Sequence, residues 1–142
     1  QQRMEGVRAA GKARGRLRQL NIVPGDFSVE SGHAAAISML AVAPVPTAVF
    51  CFSDQMALGT LAACRELGIR VPEDLSIVGF DDLASSRYLT PPLTTIRQPM
   101  RQIGERAVNL LLAIIEQVDV PLQQTLEFSF MLRGSTAAPR GG

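Results

Sequence analysis

The chain has 142 residues, 46% of them hydrophobic and 19% charged, with a net charge of +1. That is enough apolar material for one domain with a real core, and it excludes a disordered chain. The near-zero net charge excludes a global pull toward nucleic acid or acidic surfaces. Arg3, Arg8, Lys12, Arg14, Arg16 and Arg18 crowd the first twenty residues against the single acid Glu5. No aromatic residues interleave with them and no zinc or helix-turn-helix signature surrounds them, so a solvated helix face is the better reading than a nucleic-acid patch. Cys51 and Cys64 are too few for a disulfide framework and read as small buried hydrophobes. No signal-peptide pattern and no membrane-length apolar run is present, which leads to the expectation of a cytoplasmic protein.

In chain order, residues 3–20 are expected to form a helix with a basic outer face. Residues 21–24 read as an apolar connection or short strand, and 25–28 as a loop. Ser28 or Asp26 is placed to cap a helix over 30–42. A proline-bounded break at 43–46 leads into an apolar, β-rich strand, 47–52. Ser53 and Asp54 open a helix reaching Leu67, with Gly68 at its C′ position. Residues 75–80 form a third strand, 83–88 one helical turn, and 94–98 a short strand. Residues 100–117 form an amphipathic helix with Ile103, Ala107, Leu110, Leu111, Ile114 and Ile115 on its apolar face. Residues 126–132 close as a last strand, followed by a loose tail, 133–142. The strand–helix alternation predicts an α/β fold, a parallel sheet flanked by helices.

The strand 75–80 ends on two adjacent carboxylates, Asp81 and Asp82. Ligands of open α/β sheets bind outside the carboxyl ends of the strands. On that rule four places converge: Asp81 after one strand, Ser53 and Asp54 after another, Phe27 in the loop before its helix, and Arg3 at the start of the first helix. Asp81 is suited to accept from ligand hydroxyl or N–H groups, Arg3 to donate a fork, Phe27 to stack, and Ser53 to donate or accept. Duller accounts stand beside these. Asp54, first in its helix, reads as explained by capping and a favourable helix dipole, Asp82 as the cap of the following turn, Phe27 equally as core packing, and Arg3 as one more exposed cation. Asp81 alone reads as functional unaided. The single histidine, His33, has no nucleophile at fixed spacing, so a triad with Ser53 is weak. No His/Cys cluster has metal-ligand spacing, and no glycine-rich phosphate loop is present, so no cofactor is expected.

Four segments, 47–59 (TAVFCFSDQMALG), 71–81 (VPEDLSIVGFD), 91–99 (PPLTTIRQP) and 133–136 (RGST), resemble motifs of the LacI/GalR family of bacterial transcription regulators, in the family's order. The resemblance covers nearly the whole chain. It implies an effector-binding domain of the type I periplasmic-binding-protein fold, two α/β lobes hinged around a small ligand, represented here by an incomplete lobe. Residues 1–93 would belong to the C-terminal lobe, 94–120 to the crossover and a helix of the N-terminal lobe, and 121–142 to the return strand and tail. The helix-turn-helix, the upstream half of the N-terminal lobe and the first strand of the C-terminal lobe would lie outside this sequence. Direct operator contact would therefore come only through a domain absent from this chain.

The resemblance also assigns roles. Arg3, in Arg3-Met-Glu-Gly6, matches an effector-contacting arginine, and Phe27 matches a stacking aromatic after Gly-Asp. Ser53 stands where many sugar-sensing members carry Asn, which alters the usual hydrogen bonds. Asp81 matches the effector-binding acid. Leu58 and Leu89 fall at dimer-interface positions. The implied partners are a sugar, nucleoside or purine effector and a second copy of the chain, without a membrane. The wording of residues 25–27 and 47–51 is closest to purine- and nucleoside-responding members. The alternatives are a periplasmic solute-binding protein of the same fold and an enzyme built on it, against which the lone His33 argues.

Overall fold

The computed structural model describes residues 2–138. Helix α1 spans Gln2–Ala13, α2 Val29–Leu40, α3 Asp54–Glu66 and α4 Met100–Ile115. Strands β1 (Ala48–Phe50), β2 (Ser76–Phe80), β3 (Thr94–Arg97) and β4 (Ser129–Met131) form one sheet in the order β1-β2-β3-β4. The first three strands are parallel, as expected, while β4 joins β3 antiparallel as an edge. Short 3-10 turns at Leu17–Gln19 and Ala84–Tyr88 complete the described elements.

The helix expected over 3–20 stops early. Gly15 takes φ +64 after α1, a left-handed conformation that ends the helix, and only a 3-10 turn follows. Residues 21–24 form no strand. Ser28 is the N-cap of α2, its Oγ accepting from Ser31 N at 3.0 Å. Asp26 braces that cap instead, accepting from the Ser28 amide and hydroxyl at 3.0 and 2.5 Å. Those hydroxyl and amide donors hold the Asp26 carboxyl down at about 2. Gly68, at φ +70, closes α3 where a C′ glycine was expected.

The core lies between the α2–α3 pair and β1–β3. Leu75, Ile77, Leu93, Ala57, Ala63 and Cys64 are its most enclosed members. The two helices touch backbone to backbone. A Cβ on Gly32 would lie 2.6 Å from Met56 Cα, and one on Gly59 would lie 2.6 Å from His33 N. Both cysteines are free and buried, and burial pushes the Cys51 thiol up to about 11.

The tail after β4 is not loose at its start. Ser135 is fully buried; its Oγ donates to Ile77 O at 2.6 Å and accepts from Thr94 N at 2.8 Å. Its carbonyl accepts from Ile77 N at 2.8 Å, so residues 133–136 are stitched between β2 and β3. The last part of the expected tail, 139–142, lies outside the described residues.

By contrast no residue of α4 is buried. Its apolar residues Val108, Leu111 and Ile115, and Phe128, Phe130 and Leu132 around β4, face solvent. No described helix is long and apolar enough to cross a membrane.

Candidate site at the carboxyl edge of the sheet

The cluster forms where β1, β2 and β3 end side by side. Strand β2 carries its chain through Phe80 into Asp81 and Asp82, whose φ values are 114 and 53. Two consecutive non-glycine residues with positive φ cost about 1–3 kcal/mol each and persist only where surrounding contacts hold them. Such strain concentrates at ligand sites and switches.

Arg3 reaches this edge from α1. One guanidinium nitrogen donates to the carbonyl of Phe52, just past β1. Another lies 3.6 Å from Asp81 Oδ1. The guanidinium sits over the Phe80 ring, 3.8 Å from its centroid, and 5.9 Å from that of Phe27. A cation over an aromatic face gains about 1 kcal/mol when partly exposed. Arg3 is therefore not one more solvated cation, and the duller reading of it fails.

Phe27 takes φ +70 and is 54% exposed, so it is not core packing. Its exposed ring faces the Arg3 guanidinium, as a stacking surface would. Phe50 packs edge-on against Phe52, with ring centroids 5.5 Å apart, and tilted against Phe80 at 6.4 Å. The site thus has an aromatic wall behind one cation.

Asp81 Oδ1 accepts from Gln98 Nε2 at 2.7 Å. Desolvation raises the Asp81 carboxyl above its ordinary pKa and outweighs the opposing pull of Gln98 and Arg3; the Asp54 charge adds to the rise. A partly desolvated carboxylate facing an arginine and an amide is equipped to grip hydroxyl or N–H groups. Gln98 was not singled out from the sequence. It follows β3 directly, at the carboxyl end of a parallel strand, so the rule that found Asp81 applies to it equally.

Two expectations are corrected. Asp54 does not cap α3. Ser53 does, its Oγ accepting from Met56 N at 3.1 Å, while Asp54 occupies the first helical position. Asp54 is 2% exposed and accepts from Leu83 N at 2.8 Å, Ser86 Oγ at 2.5 Å and Thr95 Oγ1 at 2.5 Å. Asp82 likewise does not cap the following turn, which has no side-chain cap. Its carboxylate, 4% exposed, receives Arg97 Nε at 2.6 Å and Arg133 Nη2 at 2.5 Å. Desolvation raises the Asp82 carboxyl, but the two arginines outweigh it and hold the pKa below its ordinary value.

Arg3, Phe27, Ser53 and Asp81 are thus brought together. Besides capping, the Ser53 hydroxyl reaches the Phe27 carbonyl at 3.4 Å. Leu58 and Leu89 lie elsewhere and are half-buried, with Leu89 packed against the core. His33 sits apart from the cluster, with Nε2 2.9 Å from Glu66 Oε2 between α2 and α3, so no triad with Ser53 forms. Among the described residues no group of His, Cys, Asp or Glu is arranged to hold a metal. A separate hollow along α4, lined by Arg106, Asn109, Leu110, Val120 and Gln124, has no buried lining residue. The concentrated chemistry is at the sheet edge.

A sheet of three parallel strands with an antiparallel edge strand, bearing a charged, aromatic-walled cluster at the carboxyl ends of its parallel strands, is the architecture of a ligand-binding α/β lobe. The chain belongs to the periplasmic binding protein-like domain family, whose sequence profile matches residues 1–136. Within it, the relatives are those of a LacI/GalR-type effector-binding domain. The HTH-type transcriptional repressor PurR of Actinobacillus pleuropneumoniae is 44% identical over 129 residues, 89% of this chain and 38% of that protein. The structure of the lac repressor dimer bound to operator and the anti-inducer ONPF is 40% identical, with a TM-score of 0.79, covering 92% of this chain and 47% of that one. A LacI family transcriptional regulator from Enterococcus faecium with bound ribose is 33% identical, with a TM-score of 0.82, covering 97% and 52%. The chain therefore spans about two fifths to one half of the length of these proteins.

Proposed function

We propose that this chain is the effector-sensing and dimerising part of a bacterial LacI/GalR-type transcriptional regulator, acting without catalysis. The observation that carries the proposal is the convergence of Arg3, Phe27 and Asp81 at the ends of β1 and β2, in a chain related to repressors and to a ribose-bound regulator. Arg3 and Asp81 would grip polar groups of a sugar, nucleoside or purine, Phe27 would cover its flat face, and Ser53 would add a hydroxyl at the rim. The regulator would act in the cytoplasm.

In this reading residues 1–93 form the C-terminal lobe. Residues 94–120 cross into the N-terminal lobe, and 121–142 return from it. The solvent-facing apolar residues of α4 support that division, because such a face needs a partner. Leu58 and Leu89 would contribute to a homodimer. DNA would be contacted only through a helix-turn-helix domain outside these residues. Effector would favour one hinge angle by binding that state more tightly, and the angle would set operator affinity.

The test is a thermal-shift screen of the intact regulator against ribose, guanosine and hypoxanthine. A ligand that binds only the native state at 100 times its Kd stabilises it by about 2.7 kcal/mol, so one compound class should raise Tm by several degrees. Absence of a shift with all three would remove the sugar, nucleoside and purine assignment.

A further inference from the structure

The Asp54 carboxylate is buried beneath the site, yet it neither caps α3 nor faces the cleft. Its three donors come from Leu83 and Ser86, immediately after the Asp81–Asp82 pair, and from Thr95 on β3. The sheet leaves room for it at Gly79, where an added Cβ would stand 3.3 Å from Asp54 Cγ and closer still to Oδ1. A buried charge needs such a full set of donors, and removing one partner is strongly felt. Asp81 and Asp82 both hold positive φ, so something must keep them from relaxing. On the far side Arg97 and Arg133 grip Asp82. Asp81 N donates to Ile96 O on β3 at 2.9 Å, and Ser86 O accepts from Leu93 N at 2.9 Å. From below, Asp54 adds the side-chain tie from the outgoing chain to α3 and β3 together.

We propose that Asp54 is a positioning residue for Asp81. By fastening Leu83 and Ser86 to α3 and β3, it holds the 81–82 backbone in the left-handed form that presents the Asp81 carboxylate to Gln98 and Arg3. The inference rests on the reading of this cluster as an effector site. It explains why a serine and an aspartate stand together at the start of α3: Ser53 satisfies the helix end, which leaves Asp54 free to reach across to the turn.

The test reads Asp81 through its partner and needs no effector, so its failure is distinct from failure of the effector assignment. In the full-length protein with 15N-labelled glutamine, the Gln98 side-chain amide reports the hydrogen bond to Asp81. Asp54→Asn retains the shape of the side chain and removes the charge. The expected result is a folded variant whose Gln98 side-chain protons move toward free-amide positions and exchange with water at least tenfold faster. Ser86→Ala, which deletes one of the three donors, should move the same signal in the same direction by less. An unchanged Gln98 signal in Asp54→Asn overturns the proposal, as does an equal change across all glutamine signals, which would mark general loosening. If Asp54→Asn does not fold, Ser86→Ala decides: a shifted Gln98 signal upholds the proposal and a wild-type signal overturns it.

Discussion

In the unit built from α2, α3 and β1–β3, apolar side chains meet one another: Leu75, Ile77 and Leu93 are at most 1% exposed. In α4 and around β4, residues of the same kind face water, with Leu111 at 58% and Leu132 at 72% exposed. Burying a leucine or isoleucine is favourable by about 1.5–3 kcal/mol, so the first region stabilises itself while the second forgoes that gain. The polar groups divide the same way. Around the first region, buried Asp54 and Ser135 and the nearly enclosed side chain of Asp82 each have several hydrogen-bond partners, and no buried side-chain polar atom among the described residues lacks one. In α4 the ion pair Arg101–Glu105 is an exposed i,i+4 contact of small worth. One region encloses its apolar side chains and pairs its polar ones; the other leaves its apolar side chains facing water.

The largest expected effect contrasts two leucines. Leu75→Ala should cost about 2–5 kcal/mol, because it opens a cavity among residues that cannot collapse onto it. Leu111→Ala should change the stability of this chain by less than about 0.5 kcal/mol, since its side chain already contacts water. It should also lower any tendency of the 142-residue chain to self-associate, which light scattering at high concentration reads directly. Equal destabilisation by the two substitutions, followed by urea unfolding, would erase the distinction between the regions.

A smaller effect separates Asp81 from Asp82. Asp82 has its pKa lowered by folding, so its contribution to stability is fully present above the ordinary value of 3.8 and is lost as pH falls through the folded value. Asp81 has its pKa raised, so folding favours its protonated form. Its charge therefore opposes folding above the raised value, and that opposition is relieved as pH falls toward 3.8. Asp82→Asn should flatten the acid loss of stability below pH 3.8. Asp81→Asn should abolish a gain just above it. Urea midpoints measured across that window check both signs, and the same sign for both variants would refute the account of the pair.

Much of this was legible in the amino-acid pattern. The apolar run before Asp81 placed β2, Gly68 marked the end of α3, and the carboxyl-edge rule put Asp81, Ser53, Phe27 and Arg3 on one rim, although Arg3 taken alone read as an exposed helix cation. What could not be read was the destination of side chains whose local and distant options look alike. Ser53 and Asp54 are both good caps, and only the tertiary position of Leu83, Ser86 and Thr95 decides that Asp54 leaves the helix end. Asp82 looked local because its partners, Arg97 and Arg133, come from 15 and 51 residues away. Residues 133–136 looked loose because nothing in Arg-Gly-Ser-Thr signals that Ser135 fills a gap between β2 and β3. The apolar stripe of α4 was visible, but a stripe does not name its partner.

The central claim is that the edge cluster is a binding site and not only a stabilising network. Calorimetric titration of full-length wild type and Asp81→Ala with ribose, guanosine and hypoxanthine tests it directly. The account predicts that one compound binds the wild type and that Asp81→Ala loses this binding by at least 100-fold while its Tm stays within a few degrees of wild type. Undiminished binding by a folded Asp81→Ala variant would contradict it.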